Sequence, residues 1–278
     1  MDNLNKHKNY KEDFIRKYMK LANKRGQMTL FVIVAIVIVA LIVLLFLFKG
    51  EVNRFLGIEE AFSPNSYLTS CVEPEIKPAV ELLASQGGYR NPDGAIEYDG
   101  KKIKYLCYTK DNYVTCAIQQ PMIKKHFEDE LNEMVKDKAS KCIQNLIKEY
   151  EKRGYSVNSG ASVSSEINII PQKIHVAFNA PLSVQKEETT QKFKGFEAEI
   201  KSEMYDLLFI ASSIVEYEAI LGDSATELYM NYYPNLKIEK IKLSDSSTIY
   251  KLSDVVTKDE FTFASRSLAW PAGYGLEG

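Results

Sequence analysis

The sequence predicts an α+β protein: an N-terminal transmembrane helix followed by an extracytoplasmic domain of antiparallel β-meanders and packed helices. Three observations carry this expectation. An unbroken apolar run, LFVIVAIVIVALIVLLFLF, fills residues 30–48. Apolar residues recur at helical spacing over 72–83 and 123–150, and alternation replaces it over 163–200. All four cysteines of the 278-residue chain lie C-terminal to the apolar run.

The apolar run sets the organisation. As helix, residues 28–48 span roughly 31 Å at about 1.5 Å per residue, close to the ~30 Å hydrocarbon core of a bilayer. Nine of its residues are Val or Ile, which favour strand in water. In lipid a lone strand leaves its backbone unpaired, so helix is expected. The run exceeds the ~7–15 apolar residues of a cleaved secretory signal and ends in Phe48-Lys49-Gly50-Glu51, with no small-residue cleavage site. Eight Lys and Arg side chains precede it, and only Lys49 and Arg54 follow within the next twenty residues. The positive-inside rule then places the N-terminus in the cytoplasm and the remainder outside, in a single-pass arrangement at the cell membrane. The expected division is a basic leader over 1–26, the span over 27–49, a connector over 50–65 broken by Gly57 and Pro64, and an outer domain over 66–278. That domain has candidate lobes at 66–154 and 155–278. Within the leader, YKEDFIRKYMKLA reads as a basic amphipathic helix on the inner leaflet or as a plain charged tail.

In the outer domain, Val72, Ile76, Val80 and Leu83 predict a helix stopped by Gly87-Gly88, with Pro74 in its first turn and Pro78 arguing for a kink or a later start. Asp99-Gly100 is a strong two-residue hairpin signal. Asp111-Asn112 is read as a second turn that sets Cys107 opposite Cys116 as a non-hydrogen-bonded pair, about 4.5 Å apart at Cα. That pairing leaves Cys71 for Cys142, and the even cysteine count suits two disulfides in an oxidising compartment. A helix over 121–153 carries the stripe Ile123, Phe127, Leu131, Met134, Val135, Cys142, Leu146 and Tyr150. Strands follow around Val163, Ile167 and Ile169, around Ile174, Val176 and Phe178, through Leu182 and Val184, and around Phe196, Ala198 and Ile200. Together they predict a meander with one buried face. A helix is expected from Glu203 to Leu221, ended by Gly222, then a short helix with a capping-box start at 223–227. The late strands are LKIEKIKL and EFTFASRS.

Chemical motifs are sparse. The net charge of −2 gives no footprint for nucleic acid. His7, His126 and His175 have no metal-ligand spacing, and Glu128, Asp129, Glu130 and Glu133 suit the dipole of a helix N-terminus. No phosphate loop or nucleophile elbow occurs, so no catalytic, cofactor-binding or metal residue is assigned, and no enzyme activity is expected. Tyr229, Tyr232 and Tyr233 form a candidate contact patch. Trp270 marks a terminal extension able to dock.

The junction Lys24-Arg25-Gly26-Gln27-Met28-Thr29 resembles the class III, prepilin-like signal of archaeal surface proteins. The resemblance implies cleavage between Gly26 and Gln27 by a prepilin-type peptidase, with the apolar segment retained. The acidic residue common at the fifth mature position is Phe31 here, a departure that bears on filament assembly. The cysteine-led helix ending in LLASQGGY, the helical Cys142, IHVAFNAPLSVQKEE and FTFASRS also resemble a family of single-span archaeal membrane proteins with a cysteine-containing outer domain. What this implies is location and architecture alone: a cell-surface protein in contact with the lipid bilayer. The function expected for it is a structural or adhesive, pilin-like role through self-association or other envelope proteins. The alternative is an uncut, signal-anchored ectodomain that binds a ligand or partner.

Overall fold

A computed structural model describes residues 31–44, 62–160 and 163–270. The chain divides into two compact units, Met1–Phe62 and Ser63–Gly278. In the first, residues 31–44 form an α-helix, α1, whose residues are all exposed. Among the described residues no helix is long and apolar enough to cross a membrane. The expected span of 27–49 is described only over α1, and Gly26, Gln27, His7 and the rest of the leader lie outside the described residues.

The second unit is α+β and rich in antiparallel pairing. It opens with α2 (Pro64–Ser85), which starts earlier than the sequence reading places it. Pro64, read there as a breaker, occupies the first turn, where a missing N–H is no loss. Ser63 caps it, accepting from Ser66 N at 3.3 Å. Pro74 and Pro78 sit inside the helix, both exposed, so the hydrogen bonds they abolish lie on the solvent face. The opposite face buries Leu68, Val72, Ile76, Val80 and Leu83.

The long helix α3 (Ile123–Lys152) buries Phe127, Leu131, Val135, Ala139, Ile143 and Leu146. It packs on α2, and Cys71 and Cys142 bond across that contact with Cα atoms 5.9 Å apart. One turn brings Glu128 and Asn132 onto the edge of a strand. Asn132 accepts from Ile167 N at 2.8 Å and donates to Ile167 O at 3.1 Å. Glu128 accepts from Ile169 N at 2.7 Å. The two side chains thus stand in for a neighbouring strand and close the edge.

Strands β1 (Ala95–Tyr98), β2 (Lys101–Tyr108), β3 (Ala117–Ile118), β10 (Leu236–Lys242), β11 (Thr248–Asp254) and β12 (Glu260–Arg266) form a six-stranded sheet. Its order is β1-β2-β12-β11-β10, with β3 beside β2. The Asp99-Gly100 turn has positive φ at both residues (50° and 71°), the mirror-type geometry that matches strand twist. β2 runs parallel to β12, so strands from both candidate lobes share one sheet. β11 was missed in the sequence. Its residues are nearly all covered, so TIYKLSD lacks the exposed alternation that reveals a strand.

Between α3 and the late strands lies a second β-region: β4 (Ser156–Ser159), β5 (Ser164–Ile170), β6 (Lys173–Asn179), β7 (Leu182–Lys186), β8 (Thr189–Phe193) and β9 (Phe196–Lys201). β4 pairs with β7 and β5 with β6, while β7 also takes β8 and β6 takes β9. The region is one three-stranded antiparallel meander broken across its middle into two three-stranded sheets. Ala180-Pro181 interrupts the central strand, and Lys194-Gly195 interrupts its neighbour. A Cβ on Gly195 would stand 2.6 Å from Phe178 O, so only glycine permits the close crossing. Between β7 and β8 lies a two-residue turn at Glu187-Glu188, with Thr189 and Thr190 already in β8.

Helix α4 (Met204–Leu221) ends at Gly222, which adopts φ 83°. The short α5 (Thr226–Tyr232) has Ala225 at its N-cap position and no side-chain cap. The expected capping box does not form because Ser224 offers its backbone N–H to Glu218 Oε1 (3.1 Å).

Candidate functional site

A cleft in the second unit has a volume of about 740 Å³. It opens where the six-stranded sheet splits. β2 and β12 pair only at 105–108 against 264–266, and toward the other end the two strands part. The end of α2 sits in the opening. Lys104 N donates to Gln86 O at 3.4 Å, and a Cβ on Gly87 (φ 71°) would lie 2.8 Å from Lys104 Cβ. The diglycine is therefore more than a helix stop: it lets the helix end lie against β2.

The floor is apolar, with Val80, Ala84, Ile103, Ile174, Ile200 and Met204 all buried. The rim carries both charge signs: Lys101, Lys201 and Lys258 against Glu81, Asp99 and Glu260. Lys251 lies 3.5 Å from Asp99 and faces the Tyr98 ring. Asp259 is held by Ser202 Oγ (3.0 Å) and Glu203 N (2.5 Å), which fixes the turn between β11 and β12 beside the start of α4. Burial raises Glu203 above the usual carboxylate range, with Asp206, Asp254 and Asp259 adding like-charge repulsion. An apolar floor under a rim of mixed charge can seat an apolar group and satisfy polar atoms around it.

The other end of the sheet holds a buried polar network. Glu218 on α4 is only 2% exposed. It accepts from Tyr250 Oη, from Ser265 Oγ at 3.1 Å and from Ser224 N. Burial pushes its carboxyl up despite these donors, and the Tyr250 hydroxyl is pushed far up by burial and by the carboxylate it touches. Ser267 Oγ donates to Glu218 O at 2.7 Å and accepts from Cys116 N at 3.0 Å, linking α4 to the Cys107–Cys116 disulfide. Cys107 and Cys116 have Cα atoms 5.4 Å apart, but their register differs from the sequence expectation. Cys107 faces Ile118, and Cys116 lies just before β3. The Asp111-Asn112 hairpin does not form because Thr109, Tyr113 and Val114 pair with the terminal segment instead. Thr109 N donates to Arg266 O, Tyr113 N to Ala269 O and Leu268 N to Val114 O. Trp270 docks there edge-on to Tyr113, with ring centroids 5.3 Å apart.

The remaining residues singled out by sequence are scattered. The His126 ring lies tilted against Tyr89 with centroids 4.0 Å apart, and its Nε2 is enclosed with no hydrogen-bond partner, Glu130 Oε1 lying 3.9 Å away. Burial lowers its pKa, and Lys104 adds to that against Glu130 and Asp129. His175 lies 3.7 Å from Glu197 on the next strand. Of the carboxylates Glu128, Asp129, Glu130 and Glu133, all expected to match the helix dipole, Glu128 turns inward as the strand-edge partner. Asp129 and Glu133 pair with Lys125 and Lys136. Among the described residues no group of three or more His, Cys, Asp or Glu is placed to hold a metal ion. Tyr232 and Tyr233 are exposed, but Tyr229 bonds Ser213 at 2.8 Å.

Sequence reasoning missed both the cleft and Glu218. The cleft has no local signature. Glu218 had one: it falls at helical spacing with Ile214, Ala211 and Leu207, a charge on an otherwise buried stripe. No known protein family, curated protein or solved structure matches this chain.

Proposed function

We propose that this chain is a membrane-anchored extracytoplasmic surface protein, non-enzymatic, with a structural or adhesive role. Its N-terminus is cytoplasmic, the apolar run containing α1 is retained in the bilayer, and a prepilin-type peptidase removes residues 1–26. The observation that carries this reading is that all four cysteines are consumed in two disulfides within Ser63–Gly278. Such crosslinks persist in oxidising compartments and are rare in the cytosol. An apolar run of membrane length upstream supplies the anchor.

The cleft favours a second reading, in which an uncut anchored ectodomain serves as a binding module for a ligand or envelope partner. The N-terminal residue of protein extracted from native membranes separates the two. A start at Gln27 supports processing and a pilin-like assembly, and a start at Met1 leaves the binding module. Protease added to intact cells is expected to degrade 63–278. Protection of that region in intact cells, with degradation only after lysis, would sink both readings.

A further inference from the structure

The split in the six-stranded sheet leaves two strands half-paired. Residues 260–263 have β11 on one side and, among the described residues, no strand on the other. Residues 101–104 have β1 on one side and, among the described residues, no strand on the other. Register identifies which backbone groups face the opening. Asp254 N donates to Asp259 O at 3.0 Å, so the hydrogen-bonded pairs of the β11–β12 ladder continue as Leu252 with Phe261 and Tyr250 with Phe263. The N–H and C=O of Glu260 and Thr262 therefore point away from β11, into the cleft. On β2, Tyr105 N donates to Gly94 O at 3.3 Å, which turns Lys101 and Ile103 toward β1 and leaves Lys102 facing the opening.

An unpaired strand edge is a template for another strand, and proteins ordinarily blunt or cover it. This molecule does so elsewhere: Glu128 and Asn132 cover the edge of β5, and the edge strand β10 carries Lys237, Glu239, Lys240 and Lys242. At β12 the edge instead stands open above an apolar floor of Val80, Ala84, Ile103 and Met204. The helix end wedged against Lys104 keeps β2 from closing over it.

We propose that this cleft receives an extended peptide that adds a strand to β12, with Glu260 and Thr262 supplying the main-chain bonds. Strand addition draws affinity from the backbone and specificity from pockets under alternate side chains. The floor takes an apolar side chain. Lys101 and Lys201 opposite Glu81 and Glu260 suit a peptide carrying both charges, in contrast to a polyanion. The inference rests on reading Ser63–Gly278 as a domain that makes contacts.

The test uses the full-length chain in detergent micelles with disulfides intact. It is panned against a displayed random nonapeptide library, and an enriched peptide is synthesised. Enriched sequences should alternate apolar and polar residues. The peptide should slow amide exchange at Glu260 and Thr262. Thr262→Pro removes one cleft-facing N–H while leaving the β11 bonds, and should weaken binding about tenfold. If that variant does not fold, the exchange measurement on the wild-type chain decides alone. Failure to enrich any peptide over empty micelles overturns the proposal. So does protection at other strands, or full affinity in a folded Thr262→Pro. Peptide binding in a chain whose second unit resists external protease in intact cells sinks the surface reading and spares the cleft. The reverse result spares the surface reading alone.

Discussion

The two disulfides do different work. Cys71 and Cys142 are 71 positions apart and join helices that already pack through a continuous apolar contact. Cys107 and Cys116 are 9 positions apart and join a strand to a loop whose other restraints are polar: Ser267, Ser265, the buried Glu218 and the terminal segment. At the first, the crosslink lowers the entropy of the unfolded chain and joins helix faces that also meet through buried apolar side chains. At the second, it helps define a loop that strand pairing fails to hold, since β3 contributes only Ala117 and Ile118. A crosslink between packed helices sets how stable the fold is. A crosslink beside a polar network sets what shape the loop takes.

The largest expected effect tests the first statement. The paired substitution Cys71→Ala with Cys142→Ala should lower stability by about 4 kcal/mol in the chain-entropy model, read as a fall in the urea midpoint. Removing the second crosslink with Cys107→Ala and Cys116→Ala should cost about 2.5 kcal/mol on the same model. The two pairs should differ more in kind than in size. The second should raise amide exchange over 109–116 and shift the emission of Trp270, the only tryptophan, while leaving α2 and α3 protected. Uniform exchange across the molecule in that variant would break the distinction.

Tyr250→Phe removes one of the donors to buried Glu218 and should cost about 2 kcal/mol, again with loss of protection concentrated around 109–116. The pH dependence of Glu218 sharpens the comparison further. Its folded carboxyl is raised above the unfolded value, so the fold favours the protonated form. That contribution is complete below about pH 4.3 and is lost as pH rises through the raised value. The stability of wild type minus that of Glu218→Gln should therefore fall across this window and flatten above it, in urea titrations at successive pH. A difference that rises with pH would contradict the burial argument. The smallest expected effect is at Gly87. Gly87→Ala sets a Cβ against Lys104 at positive φ and should cost about 1–2 kcal/mol, loosening the contact between the end of α2 and β2.

Local pattern was enough for much of this. The 3.6-residue period of α2, α3 and α4, the alternation of β5, β6 and β9, and the turns at Asp99-Gly100 and Gly222 each depend on neighbours within one element. Such features are written in consecutive residues, because side-chain spacing and permitted φ are local properties. The apolar run and the position of the four cysteines are likewise readable without coordinates.

Tertiary structure decided the rest, because those features depend on partners far along the chain. Whether Pro64 breaks or begins a helix depends on Ser63 capping it and on the apolar face that follows docking on the core. Cys116 lies outside the expected hairpin because residues 109–114 bond with 266–269, more than 150 positions away. β11 was hidden by burial on both faces. Glu128 left the solvent because the edge of β5, 41 residues on, offered it an N–H. The cleft exists because β2 and β12 meet at one end only, with the end of α2 holding them apart at the other. The physical reason is common to all five. A residue's own chemistry limits its backbone and its preference for water, but hydrogen-bond partners and register are settled by competition among distant groups, and that competition is resolved only when the chain is packed.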